Sequence, residues 1–151
     1  EDWFGGAVEL PIEGVKSASL VWNKPSTPVD GTALFCGEDY RYGTHLEIFP
    51  RPDGTMYICG VGGSEYVSKD ELKKGAFLQT CDPRPERVAA AVESFQEMSS
   101  TYREYGEPDR KQACMRPCPP DAMPYMGKIP GYEGAYINAG HNCWGIAWAP
   151  A

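Results

Sequence analysis

The sequence predicts an α+β fold, a largely antiparallel mixed sheet with one long helix across one face. Short β-rich runs punctuated by turn residues fill the early part of the chain. Asp53-Gly54 separates two alternating runs, a strong hairpin signal. A single later stretch carries Val88, Val92, Phe95, Ser99 and Tyr102 at helical spacing. Strand-like and helix-like segments do not alternate regularly, which argues against a doubly wound parallel sheet.

Residues 15–22 are β-rich and stop at Asn23-Lys24-Pro25; residues 32–36 form a short second strand. Residues 45–49 and 55–60 pair through Pro50-Arg51-Pro52-Asp53-Gly54. Gly60-Val61-Gly62-Gly63-Ser64 reads as a flexible loop; it lacks G-x-G-x-x-G spacing and no helix follows directly, so it is not a phosphate cradle. Ser68-Lys69-Asp70-Glu71 has capping-box spacing for a short helix ending near Gly75. The long helix is expected over residues 85–105, started by Asp82-Pro83 and ended by Gly106-Glu107-Pro108. Its apolar stripe faces a sheet, with Glu86, Arg87, Glu93, Glu97 and Glu104 mostly off it. Residues 111–116 form a strand, Pro117, Pro119 and Pro120 a turn, and residues 122–127 lead to a turn at Pro130-Gly131. Residues 135–139 are the last strand, followed by a Gly140-His141 turn and, at Gly145-Ile146, the first turn of a helix.

The 151 residues suffice for a domain with its own core, and 42% hydrophobic residues exclude wholesale disorder. A net charge of -7 argues against a nucleic-acid or anionic-membrane surface, either of which needs a basic patch. No run of about 18 apolar residues occurs, so no membrane-spanning helix is expected. The cysteines at 36, 59, 81, 114, 118 and 143 are irregularly spaced and include no C-x-x-C, which reads as reduced thiols in an intracellular, cytoplasmic protein. With only His45 and His141 as histidines, no zinc site is expected. The end of the chain just after Gly145-Ile146 reads as one piece of a larger protein.

Arg116-Pro117-Cys118-Pro119-Pro120-Asp121-Ala122-Met123-Pro124-Tyr125-Met126-Gly127, then Pro130-Gly131, then Ala135-Tyr136-Ile137-Asn138-Ala139-Gly140-His141, then Gly145-Ile146 and Ala149-Pro150, succeed one another in order. This succession resembles the C-terminal part of the FAD-dependent D-amino-acid-oxidase superfamily, which includes glycine oxidase and sarcosine oxidase. The Pro50-Arg51-Pro52-Asp53-Gly54 hairpin is similar to one in that family's substrate domain, so the resemblance covers most of the chain.

The resemblance implies residues 1–139 as a substrate-binding domain and residues 140–151 as the start of the segment returning to a FAD-binding half that is not in this sequence. It implies FAD as cofactor and a small-molecule amine or amino acid as substrate, oxidised at a C–N bond, with this piece inactive alone. Arg116 would anchor a substrate carboxylate through two parallel hydrogen bonds; read from the residues alone, it is a surface arginine paired with one of the many acids. Gly140, His141, Asn142, Cys143, Trp144, Gly145 and Ile146 would contact the flavin, glycines allowing close approach and a helix start favouring negative charge. The alternative is an ordinary strand-turn-helix corner. Cys143 stands where glycine-oxidase-like members often carry arginine, which departs from a glycine-oxidase-like substrate. Cys114 matches the setting in which sarcosine-oxidase-like members bond covalently to flavin, with Lys111 or Arg116 as flanking cations; a packed, unreactive thiol is the other reading. Two further readings stay open: a non-catalytic interaction module that keeps the fold, and a thiol-redox pair of Cys114 and Cys118.

Overall fold

A computed structural model describes residues 4–23, 30–75, 81–148 and 150. Lys24, Pro25 and Ala149, which the sequence reading used, lie outside the described residues. In chain order the strands are β1 (Glu13–Trp22), β2 (Leu34–Phe35), β3 (Glu47–Pro50), β4 (Met56–Cys59), β5 (Glu65–Val67), β6 (Arg110–Cys118), β7 (Tyr125–Lys128) and β8 (Tyr136–Ala139). The described helices are α1 (Lys69–Lys73), α2 (Pro85–Met98), α3 (Ser100–Arg103) and α4 (Gly145–Trp148). The chain divides into two compact units, one of Glu1–Lys16, Glu65–Thr80 and Met115–Ala151, the other of Ser17–Ser64 and Cys81–Cys114.

In the second unit, Leu20, Val21 and Trp22 of β1 pair antiparallel with Ile58, Tyr57 and Met56 of β4. The hairpin forms as expected: β3 and β4 pair from Glu47↔Cys59 to Pro50↔Met56. Its turn is closed by Arg51 N–H donating to Thr55 O at 2.8 Å, while Asp53 Oδ1 accepts from the Thr55 amide at 2.9 Å. Gly54 supplies the positive φ of +85° that the turn needs. Those contacts with Thr55 hold the Asp53 carboxyl below the usual carboxylate range. β2 adds Leu34↔Ile48 and Phe35↔Glu47 at the edge.

α2 packs on one face of this sheet as the stripe predicts. Val88, Ala91, Val92 and Phe95 join Leu20, Trp22, Ile48, Met56 and Ile58 in one buried cluster. The expected helix over residues 85–105 is interrupted. Ser99 adopts an extended φ of -159°, ending α2, and its side chain accepts from the Tyr102 amide to cap α3. The stripe survives the break because Tyr102 stacks on Phe95 at 4.4 Å. A serine that can cap a new turn competes with its own place inside a helix, which the apolar pattern does not register.

Residues 60–64 are a loop, but a packed one. Gly60 and Gly62 have positive φ, and a Cβ on them would collide with the carbonyl oxygens of His45 and Gly43 respectively. The Arg87 guanidinium, reaching from α2, donates to Gly43 O at 2.8 Å and also to Val61 O. The glycines are needed for close backbone approach rather than for looseness.

In the first unit, Gly14, Val15 and Lys16 pair with Val67, Tyr66 and Glu65 of β5, a short strand without an alternating pattern to announce it. α1 begins with the predicted capping box, Ser68 and Glu71 each accepting from the other's backbone amide. Leu72 closes over Gly14, where a Cβ would lie 3.2 Å from Leu72 Cδ2 and from Met115 Sδ. β7 and β8 form a separate two-stranded sheet, Tyr125↔Ala139 to Lys128↔Tyr136, rather than extending the main one.

Gly62→Ala combines a disallowed φ with a clash against backbone and is expected to destabilise the protein by about 3 kcal/mol, read as a lowered urea midpoint. Ser68→Ala, which removes only the cap, should cost about 1 kcal/mol in the same experiment.

Candidate functional site

β6 places Arg116 and Cys118 two residues apart near its end, so both project from one side of the strand. The Arg116 side chain is half-buried, with Nε closed off from solvent, and Cys118 is buried. Pro119 and Pro120 cannot donate to a ladder, so the strand stops there. Ala122 N–H then donates to Pro119 O at 2.9 Å, with Ala122 at a φ of +58°.

β8 delivers the chain to Gly140, whose φ is +84°. A Cβ at this position would stand 2.6 Å from Pro119 Cγ, so only glycine lets the strand leave so close to that ring. Asn142 comes next but one, in the left-handed region at φ +50°, a conformation asparagine tolerates better than most residues. Its backbone N–H donates to Pro117 O at 2.9 Å, and its Nδ2 lies 3.8 Å from Cys118 Sγ. Trp144 N–H donates to His141 O at 2.9 Å, and α4 begins at Gly145. The turn over residues 140–146 is thereby fastened to the end of β6, directly after Arg116.

Two buried polar atoms in this turn have no hydrogen-bond partner among the described residues: His141 Nε2 and Asn142 Oδ1. His141 is 7% exposed. A buried polar group without a partner is costly, and such orphans mark places where something else completes the bonding. Donors and acceptors alternate along the pyrimidine edge of a flavin, so these atoms fit that group.

The other expected site residues are arranged differently. Cys143, Trp144 and Ile146 are exposed, Ile146 at 98%; Trp144 and Trp148 stack on each other at 5.6 Å. Gly145 is half-buried, its α-carbon beside the His141 side chain. Cys114 is exposed and belongs to the second unit. Lys111, one of its expected flanking cations, is engaged by Glu107 at 3.0 Å. Cys114 and Cys118 both lie in β6, where four residues of extended chain span about 13 Å, about twice the Cα separation a disulfide allows. That removes the thiol-redox pair. The described residues contain no helix long and apolar enough to cross a membrane and no cluster of potential metal ligands.

The second unit also holds a cleft of about 210 Å³ lined by Cys36, Thr44, Leu46, Ser94 and Met98 with Arg41 at its rim. Thr44 Oγ1 and Ser94 Oγ bond to each other at 3.0 Å in its floor, and Arg41 bridges Asp39 and Glu97. No residue expected at the site lines this cleft.

A family model described as FAD dependent oxidoreductase matches residues 2–151. The chain belongs to that family. It is 30% identical over 148 residues to a glycine oxidase of Pseudomonas putida, an alignment covering 95% of this chain and 34% of the relative. It is 35% identical over 147 residues to a glycine oxidase of Pseudomonas aeruginosa, with 95% and 34% covered. The crystal structure of glycine oxidase from Geobacillus kaustophilus superposes with a TM-score of 0.69 at 19% identity, covering 95% of this chain and 33% of that one. The fold expected from the resemblance is therefore the fold found. The chain spans about a third of the length of these relatives.

Gly140→Ala is expected to cost about 2–3 kcal/mol of stability from its φ and the Pro119 contact. Asn142→Gly, which keeps the left-handed turn accessible, should cost less than about 1 kcal/mol; paired urea melts of the two variants check the difference.

Proposed function

We propose that this chain is the substrate-binding part of a FAD-dependent oxidoreductase that oxidises a C–N bond of an amine or amino acid. Residues 1–139 are the substrate domain, and residues 140–151 begin the return to the FAD-binding part. The carrying observation is the turn over residues 140–146, fastened to the strand of Arg116 and holding two orphaned buried polar atoms, in a chain that matches this family over residues 2–151.

FAD, when bound, accepts the two electrons released as the C–N single bond becomes a double bond. The chain's own residues do the rest. His141 Nε2 and Asn142 Oδ1 would help to hold the flavin by hydrogen bonds, and Gly140 would let the backbone approach it closely. Arg116 presents a planar guanidinium, which grips a carboxylate with two parallel hydrogen bonds and fixes the substrate's orientation. None of the glycine clusters in this sequence has the G-x-G-x-x-G spacing that holds a dinucleotide pyrophosphate. The activity thus belongs to a protein that also supplies that element, and the present chain alone is inactive.

The visible spectrum of the full-length protein, taken before and after acid precipitation, tests this reading. A yellow protein is expected. Colour that leaves with the supernatant means non-covalent FAD and makes Cys114 a packing residue; colour held in the pellet and lost in Cys114→Ser assigns Cys114 the covalent bond. A colourless protein that takes up no added FAD defeats the proposal in favour of an interaction module. With a carboxylate-bearing substrate, Arg116→Leu is expected to lower kcat/KM about 100-fold, mostly through KM; an unchanged KM removes the anchor role.

A further inference from the structure

The sheet of the second unit has a face turned away from α2, and its chemistry is unlike the core face. Ile48, Met56 and Ile58 point into the core, so alternation turns Glu47, Phe49, Tyr57 and Cys59 the other way. In register, Glu47 stands opposite Cys59, Phe49 opposite Tyr57, and Phe35 opposite Glu47. The rings form a ladder: Phe35 meets Phe49 edge-on at 5.6 Å, and Phe49 meets Tyr57 at 6.2 Å. Phe35 is 72% exposed, while Glu47, Phe49, Tyr57 and Cys59 are half-buried. One ring of the ladder already receives a cation, since the Arg51 guanidinium sits over Tyr57 at 4.5 Å.

Glu47 is the carboxylate of this patch, and the group that donates to it is a weak one, the Cys59 thiol at 3.3 Å from Oε2. None of the ion pairs among the described residues involves Glu47. A half-buried acid beside aromatic rings, outside any ion pair among the described residues, has a thiol rather than a cation as its compensation. The missing partner is defined by the surroundings. Ring faces are negative and attract organic cations, and a carboxylate supplies the counter-charge. The same group repels a carboxylate ligand.

We infer that this face binds the ammonium-bearing part of a cationic organic amine, with Glu47 as counter-ion and Phe49 and Tyr57 as aromatic walls. The inference rests on the amine or amino-acid oxidation proposed above and names the group of such a ligand that this face would recognise. Glu47 is a specificity-determining residue, not a proton carrier in this role.

The test uses the full-length protein, calorimetric titration with benzyltrimethylammonium and, separately, benzoate, and the visible spectrum of each preparation. Benzyltrimethylammonium is chosen because its charge cannot be lost by deprotonation. Glu47→Gln keeps the shape and an acceptor for Cys59, and it is expected to weaken the ammonium probe about tenfold or more while leaving benzoate unchanged or tighter. Tyr57→Leu, which leaves the charge in place, should also weaken the ammonium probe, and it decides the matter if Glu47→Gln does not fold. Ammonium affinity within about twofold of wild type in a folded Glu47→Gln or Tyr57→Leu variant overturns the inference, as does a yellow wild-type protein that binds no ammonium probe. A colourless protein with Glu47-dependent ammonium binding defeats the flavoenzyme reading and leaves this face's assignment standing. A colourless protein that binds no probe defeats both.

Discussion

Trp22 sets the orientation of the sheet in the second unit. Its ring is 2% exposed, lies 5.0 Å from Phe95, and its indole N–H donates to Gly106 O at 3.1 Å. An aromatic of this size, packed and hydrogen-bonded, fixes which side of β1 meets α2, because truncating it costs on the order of 3–5 kcal/mol. β1 and β4 pair in register, Trp22 opposite Met56 and Leu20 opposite Ile58, so those residues share the inward face. A one-residue slip would exchange every inward and outward side chain. With Ile48, Met56 and Ile58 held inward, Glu47, Phe49, Tyr57 and Cys59 are turned outward by geometry alone. Even the Tyr57 phenol reflects that position: partial burial pushes its pKa up, with the Ser19 hydroxyl opposing. The candidate recognition face is thus a consequence of core packing on the other side of the same strands.

Features that rest on local chemistry are legible in the sequence. Asp53-Gly54 encodes a turn through a side chain that bonds its own backbone and a residue that accepts positive φ, and the hairpin forms around it. Ser68 and Glu71 encode a cap by their spacing. Features that rest on distant partners are not legible. The Gly60–Gly63 stretch reads as loose until Arg87 and Gly43, far away in sequence, close on it. β5 is three residues long and owes its form to the first residues of β1. Ser99 shows the same limit from the other side: helical periodicity continues through Tyr102, yet the backbone breaks and restarts because a serine can cap the next turn.

The candidate site divides in the same way. The succession Gly140-His141 and Gly145-Ile146 is recognisable because glycines mark places where the backbone must pass close to something. The partners of the turn are not recognisable: neither the Pro117 carbonyl that receives the Asn142 amide nor the Pro119 ring that forbids a Cβ at Gly140 leaves a mark on spacing. Asn142, expected among the flavin contacts, also carries a legible signal for the turn, since asparagine accepts the left-handed region. Cys114 shows a further limit: one of the cations expected beside it, Lys111, pairs with Glu107, a contact that the spacing of the motif does not announce.

Arg116 and Glu47 belong to different units and carry opposite charges. A guanidinium favours an anionic group, whereas a half-buried carboxylate disfavours any ligand that brings only negative charge to it. Under the inference drawn above, Glu47 favours the positively charged end of a ligand. The aromatic ladder adds tolerance for alkyl groups on that end, because cation–π attraction depends on charge and contact rather than on N–H donors. As a cation-binding face, these residues would favour a substituted or extended ammonium over a small one.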